Sequence, residues 1–497
     1  TPTNACWETN PQSFVRSVWG QTPVVRDACF MMASPGSEEG AACAARPLKE
    51  SAVGFQQDLL HIREESDGLP LQRPPSAFSA PFMESFPSIG RSIEAASSVE
   101  TLSYGISAGG VDSMPASRQR LGGLGVAFAI FKGNCGCALL YMPRAWKNGG
   151  LLPASVAVPA VGFLSIVSAL RLLRCRSRHY GSYGDIVDMA LGRFGRVTAD
   201  ACIVLLQCGT ICSYFIVVCQ LLQSTILPQV RLCWLMLCMA AGMVPLVAIR
   251  NMSALWPFSA IGTLLVISGV LVVLGIEGYH AVSHRNLPLP MPDASGFFVC
   301  LGQACFMFEG IALLLPIYDS SANSETFPSV YACVQVFNIV LICAVGLLGF
   351  LAYGEHVQNL ILLNFPPGIA VAAVQLAFMV QVLCSFPLQM LPAVRLIEGS
   401  FFAPQSSPAL SRKCAKTAFR ALVVFALSGV ALVGSGRLDN FVSLIGGVCG
   451  VPLAFILPAI CHARLVGGGL LVDALLVVIG AVLTVACTAV NVLAFIR

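Results

Sequence analysis

The chain has 497 residues, of which 56% are hydrophobic and only 11% charged, against roughly 25% charged in soluble domains. That balance excludes an ordinary water-soluble enzyme or binding module and describes a polytopic, all-α membrane protein. The formal net charge of +4 decides little, because the placement of charges matters more than their sum, and it gives no sign of a nucleic-acid partner. The 21 cysteines sit mostly inside apolar runs, Cys202, Cys208, Cys212, Cys219 and Cys343 among them, where a thiol acts as a small hydrophobe. No disulfide framework is expected. No CxxC pairs or His/Cys clusters point to a metal, and no motif calls for a cofactor.

Residues 1–117 differ from the rest. Pro, Ser, Glu and Gly recur there without a sustained apolar period, as in SPGSEEG (34–40) and PLQRPPSAFSAPF (70–82). Such stretches cannot bury enough surface to offset the entropy of ordering, so a disordered cytosolic tail is expected. The chain starts at Thr1 rather than Met, so its true start is expected upstream, and no early apolar stretch resembles a signal peptide.

The membrane domain is expected over 118–497. It carries eleven apolar segments of spanning length: 121–142, 151–173, 197–226, 231–249, 253–276, 295–318, 327–353, 367–394, 418–435, 440–461 and 470–496. Segment 1 contains Lys132-Gly133-Asn134-Cys135-Gly136 about halfway along. Glycine costs a helix about 1 kcal/mol relative to alanine, and a lysine at mid-depth costs about 3 kcal/mol or more. A segment that takes both penalties at one place is expected to be unwound there. Unwound backbone at membrane depth is tolerated only where protein buries it or a wet cavity solvates it, and its free N–H and C=O groups make a ligand site. Close helix packing at Gly133 and Gly136 is the plainer alternative.

The connections give the orientation. With the tail in the cytosol, that side holds fifteen Lys/Arg, including the cluster Arg171, Arg174, Arg176, Arg178, Arg193 and Arg196, and the other side holds six. The positive side faces the cytosol, so the N-terminus is inside and an odd span count puts the C-terminus outside. Segment 6 repeats the oddity of segment 1: CFMFEGIALLLP (305–316) sets Glu309-Gly310 at mid-span. An intramembrane carboxylate is functional or paired by default. Interruptions five spans apart are what a five-plus-five inverted repeat, with helices 1 and 6 broken, places on either side of a central site.

These residues resemble a family. FKGNCGCALLYMPRAWKNGG (131–150), FEGIALLLPIYDS (308–320) and SFPLQMLPA (385–393) are similar to stretches of the amino acid/auxin permease family, particularly its proton-assisted and vacuolar amino acid transporter branches. The resemblance spans about 118–497. It implies a secondary-active amino acid carrier in a plasma membrane or an internal acidic, vacuolar or lysosome-like membrane. The chain departs from the pattern with Cys135 and Cys137 where members often carry Ile, Thr or Ser. It also lacks the segment 1 histidine of some proton-coupled members.

In chemical terms, an α-amino acid presents a carboxylate and an ammonium a fixed distance apart. Freed amides of Gly133, Asn134, Cys135 and Gly136 at the start of the outer half-helix suit the carboxylate. Freed carbonyls near Phe308, Glu309 and Gly310, with those ending the inner half of segment 1, suit the ammonium. The substrate side chain is then read by candidates such as Thr210, Tyr214, Phe306, Phe308 and Cys384 to Phe386, with Ser385 among them. Lys132 and Glu309 flank the two breaks and are expected to pair or share a water network, and Glu309 is the candidate carrier of a coupling proton. Sodium held by oxygens near Asn134 and Ser385 is the alternative ion, and such a site needs roughly five or six oxygens. The histidines (His61, His179, His280, His284, His356 and His462) fall in the tail, in loops or at span ends. The function expected is proton-coupled amino acid transport by alternating access. The rival is an amino acid sensor that signals through the tail. No nucleophile elbow, P-loop or zinc pattern argues for an enzyme.

Overall fold

The computed structural model describes residues 121–179, 181–248, 256–283, 293–401 and 410–496. The expected tail over 1–117 and the domain boundary at 118 lie outside the described residues. Within them the backbone is helical, with one isolated bridge between Leu121 and Ser321 and no strand.

The first segment divides into α1 (Gly123–Asn134), a 3-10 stretch (Cys137–Tyr141) and α2 (Met142–Gly149). Next come α3 (Leu151–Arg178), α4 (Tyr183–Thr225), α5 (Leu232–Ala248) and α6 (Trp256–Ser283). The sixth segment divides into α7 (Ala294–Met307) and α8 (Ile311–Ser320). After α9 (Phe327–Tyr353), α10 (Ile369–Phe401) and α11 (Leu410–Gly434), the tenth segment is α12 (Leu438–Ile445), two widened π turns (Gly446–Gly450 and Pro452–Ile456) and α13 (Leu457–Leu465). The last helix is α14 (Leu470–Ile496).

Local chemistry sets several of these limits. The chain enters α4 through a reciprocal cap: the Ser182 amide donates to Asp185 Oδ2 at 2.9 Å, and the Asp185 amide donates to Ser182 Oγ at 3.3 Å. Gly192, at φ +70°, interrupts α4 between its polar first turns and its apolar length. The fifth segment continues past the expected end at 276 to Ser283, which brings Glu277 inside α6.

Among the described residues seven helical stretches are long and apolar enough to cross a membrane, and an eighth is added if α1 and the Cys137–Gly149 stretch, bent by 45°, form one span. The chain is an integral, multi-pass membrane protein. The count stands below the eleven segments read from the sequence for local reasons. Helix α5 has 17 residues, α7 and α8 have 14 and 10, and the Cys414–Leu465 stretch, which holds two expected segments, registers as one.

Irregular backbone inside this bundle is served by neighbouring side chains, as a dry interior requires. Ser168 Oγ donates to the Ala454 carbonyl in the second π turn, and Tyr183 Oη donates to the Leu453 carbonyl at 2.9 Å. His462, expected just after segment 10, lies inside α13, which continues to Leu465. His462 is 1% exposed; its Nδ1 lies 2.7 Å from Asp473 Oδ2 and 3.2 Å from Arg171 Nη1, so α3, α13 and α14 meet in one buried polar cluster. The described cysteines are free thiols.

Candidate functional site

Helix α1 ends at Asn134 because Cys135 (φ −103°, ψ 95°) and Gly136 (φ −129°, ψ −161°) are extended. The Cys135 amide still reaches the Phe131 carbonyl at 2.8 Å. Beyond it the last carbonyls of α1, from Lys132 on, have no intrahelical donor, and the amides that open the 3-10 stretch have no intrahelical acceptor. Helix α7 ends likewise: Phe308 (φ −90°, ψ 12°) and Gly310 (φ −116°, ψ 9°) leave the helical region before α8 begins.

The two breaks touch. A Cβ placed on Gly310 would collide with the Asn134 carboxamide, 2.9 Å from its Cγ, and one on Gly133 would meet Leu313 Cδ1 of α8 at 3.0 Å. Asn134 is itself held. Its Nδ2 donates to the Ile130 carbonyl at 2.9 Å, and its Oδ1 accepts from Gln335 Nε2 at 3.1 Å, whose own Oε1 accepts from Asn338 Nδ2 at 2.9 Å. A buried chain of amides on α9 therefore fixes the side chain that spans both breaks.

Beside this contact lies a cavity of about 110 Å³, several times the 10–15 Å³ or so that one water needs. Its wall takes in the α1 break from Phe131 to Ala138, Phe306, Met307 and Glu309 at the α7 break, and side chains of α4, α6 and α10. Of the expected site residues, Lys132, Gly133, Asn134, Cys135, Gly136, Tyr214, Glu309 and Ser385 all line it, as do Thr210 and Phe306.

Four expected residues do not. The Phe308 ring is 1% exposed and turned away, with its Cζ beside Gly162 of α3, and its carbonyl is already taken by Ser165 Oγ at 3.0 Å and the Gly310 amide at 3.2 Å. Gly310 is occupied by its contact with Asn134. The carbonyl of Phe308, expected as a free acceptor, is satisfied within the protein. Cys384 and Phe386 also lie outside the wall; Phe386 is fully buried against Phe215, with the ring centroids 5.3 Å apart.

Sequence reading missed the amides. Gln381 and Gln389 line the cavity beside Ser385, and so do Ser213 and Thr263. Gln381 Nε2 donates to Ser385 Oγ at 3.1 Å, while its Oε1 is buried with no hydrogen-bond partner among the described residues. Gln389 Nε2 donates to Gln207 Oε1 across to α4. A signal existed: positions 381, 385 and 389 fall four residues apart and so on one face of an apolar helix. Ser213 Oγ and Thr210 Oγ1 donate to carbonyls of their own helix at 2.8 and 3.0 Å, which leaves each hydroxyl its acceptor lone pairs. Among the described residues no His/Cys/Asp/Glu group is arranged to hold a metal.

The chain is similar to proteins named vacuolar amino acid transporter 3 of Schizosaccharomyces pombe and vacuolar amino acid transporter 4 of Saccharomyces cerevisiae. It is 30% identical to each, with 67% and 68% of this chain matched and 52% of either relative. It thus spans about half the length of these fungal relatives. Among solved structures, a Na⁺-coupled sialic acid symporter in a substrate-bound, outward-open state aligns with 81% of this chain and 96% of its own, at 13% identity and a TM-score of 0.49. The family model described as "transmembrane amino acid transporter protein" matches residues 122–496, nearly the whole described bundle. By that match the chain belongs to the transmembrane amino acid transporter family.

Proposed function

We propose that this protein is a secondary-active carrier that moves small amino acids by alternating access, coupled to protons, in an internal acidic membrane. The observation that carries the reading is the shared cavity of the two breaks. One wall offers the carbonyl end of α1 and the opposite polarity begins at the 3-10 stretch that leads into α2. Helix C-termini favour cations and N-termini favour anions. The ammonium sits against the carbonyls from Lys132 to Asn134, and the carboxylate against the amides from Gly136 to Ala138. Glu309, in the same wall, supports a proton as coupling ion, with Lys132 as its counter-charge across the site. The satisfied Phe308 carbonyl shifts the ammonium site toward α1.

The surrounding architecture follows from the same reading. Eleven spans form a five-plus-five inverted repeat with breaks in the first and sixth, and the N-terminus is cytosolic. Contact between the breaks, Asn134 against Gly310, supports the repeat. The fungal relatives named as vacuolar transporters support the acidic compartment.

The test is uptake of a radiolabelled amino acid panel into proteoliposomes at two pH values, with and without Na⁺. Accumulation that collapses when the pH gradient is dissipated, and that ignores Na⁺, is expected. Accumulation driven by Na⁺ alone overturns the proton. Saturable amino acid binding with no flux under any gradient overturns the carrier and leaves the sensor.

A further inference from the structure

Two carboxyl groups are drawn close to the broken first span. Glu309 lines the cavity; Glu277 does not. Glu277 sits in the last turns of α6, is 0% exposed, and has both carboxyl oxygens buried without a hydrogen-bond partner among the described residues. Its location is defined by Gly349 of α9. A Cβ there would stand 2.6 Å from Glu277 Oε1 and 2.5 Å from Pro143 Cγ, so the carboxyl group and the Pro143 ring of α2 rest side by side on one bare patch of α9.

Among the described residues no cation is set against that carboxyl. On α9 the facing titratable group is Tyr353, one turn past Gly349, which interacts electrostatically with Glu277 and whose own hydroxyl is buried with no hydrogen-bond partner among the described residues. On α6 the next is His280, its ring 5.6 Å from that of Tyr353. On α2 the cations are committed elsewhere: Arg144 to Asp439 Oδ2 at 3.3 Å and the Val357 carbonyl at 3.1 Å, and Lys147 to the Glu355 carbonyl at 2.5 Å. Helix α10, which also packs on α6, carries no Asp, Glu, Lys or Arg before Arg395.

An ionised carboxylate buried without a cation or donor costs several kcal/mol, and such a group takes up a proton instead. The Pro143 ring of α2 is among the groups that cover it. Helix α2 is the outer half of the broken span, joined to the cavity wall through the 3-10 stretch. We propose that Glu277 is a proton-binding site separate from the substrate cavity, holding H⁺ while α2 is seated on α9 and giving it to water when α2 swings away. The Glu277 O–H bond breaks, the proton passes to the water that enters, and a hydrated carboxylate remains until α2 reseats. The site ties the position of the outer half-helix to the proton gradient, and it rests on the reading of the chain as a proton-coupled carrier.

The experiment uses the full chain reconstituted in proteoliposomes, wild type against Glu277→Gln. In infrared difference spectra at neutral pH, a protonated-carboxyl band present in the wild type and absent from Glu277→Gln is expected; a wild type that shows only carboxylate there overturns the proposal. In transport, Glu277→Gln keeps substrate counterflow within about twofold of wild type but loses at least tenfold in accumulation driven by a pH gradient, with a flattened pH profile. Gradient-driven accumulation and a pH profile equal to wild type overturn the proposal. Glu277→Met, apolar and of similar length, is expected to match Glu277→Gln and serves if the amide misfolds. If the wild type neither accumulates nor exchanges any amino acid, the carrier reading fails, and the infrared band still decides the proton.

Discussion

Asn134 does two jobs with one carboxamide. It is bonded at both ends, to the Ile130 carbonyl and to Gln335, and its flank lies against Gly310 where no Cβ fits. Gly310→Ala therefore pushes the second break away from the first or tears Asn134 from Gln335, and a buried amide left unpaired costs about 1–3 kcal/mol. A fall of at least tenfold in transport is expected, with a lower thermal midpoint in detergent. Gly136→Ala is the informative contrast. A Cβ at Gly136 meets nothing within 4 Å, and the residue's φ of −129° is open to any side chain. That variant should keep its thermal midpoint and show its effect in KM, since its methyl enters the cavity. Equal losses of stability in the two variants would remove the contact between breaks from the account. The residues of the breaks were legible because Lys132, Asn134 and Glu309 offend the rule for an apolar helix, and an offence is visible without coordinates. The facing of Phe306 and Phe308 was not legible: once helical φ/ψ are lost, the 3.6-residue period no longer tells which ring looks inward. Glu277 was missed for a smaller reason. The apolar run was closed at 276, and helix ends are the least certain feature of a sequence reading.

At the scale of elements, the tenth segment is the least regular, and its irregularity is fitted to α7. A Cβ on Gly302 would strike Ser443, its carbon 3.0 Å from that residue's carbonyl carbon, and one on Gly446 would strike the Gly302 carbonyl oxygen and stand 2.8 Å from the Phe306 amide. Backbone therefore meets backbone where the first π turn begins. Bulges of this kind concentrate at functional sites, and this one abuts the helix that delivers Phe306, Met307 and Glu309 to the cavity. Gly446→Ala has no flexible side chain to displace, so the two helices must separate. A cost of about 1–3 kcal/mol is expected, the usual range for overpacking, read as a lower midpoint in thermal or denaturant unfolding. A midpoint unchanged from wild type would mean that the seam is loose and that segment 10 does not fix α7. In the sequence, Gly446, Gly447, Gly450 and Pro452 together point to close packing or a bend, and that much was legible. The π turns were not, because a widened turn is set by what the helix packs against and by the donors, here Ser168 and Tyr183, that serve its carbonyls.

For the whole molecule, polar fastenings lie on both sides of the cavity. On the side of Leu121, the chain entering α1 is bound to the end of α8 by the Leu121 amide to the Ser320 carbonyl at 2.9 Å and the Ala322 amide to the Leu121 carbonyl at 2.8 Å. Arg176 of α3 reaches Asp319 of α8 at 2.8 Å nearby. On the side of Gly149, α2 is bound to α12 by Arg144 and Asn148, each 3.3 Å from Asp439 Oδ2. A carrier that alternates must release these sets in turn, so removing one charge should favour the state in which its own side is open. Partly exposed pairs of this kind contribute about 1 kcal/mol, a factor of roughly five in the equilibrium. The protein carries its own reporters, because Cys135 and Cys137 line the cavity and are 4% and 2% exposed. With an impermeant maleimide applied from the side of Gly149 and labelling read at those two cysteines by mass spectrometry, Asp439→Asn should label up to about fivefold faster than wild type. Asp319→Asn should label more slowly, because it draws the population toward the opposite opening. Rates that rise in both variants, or change in neither, would show that the two fastenings do not compete, and a two-sided carrier built around this cavity would then have to be given up.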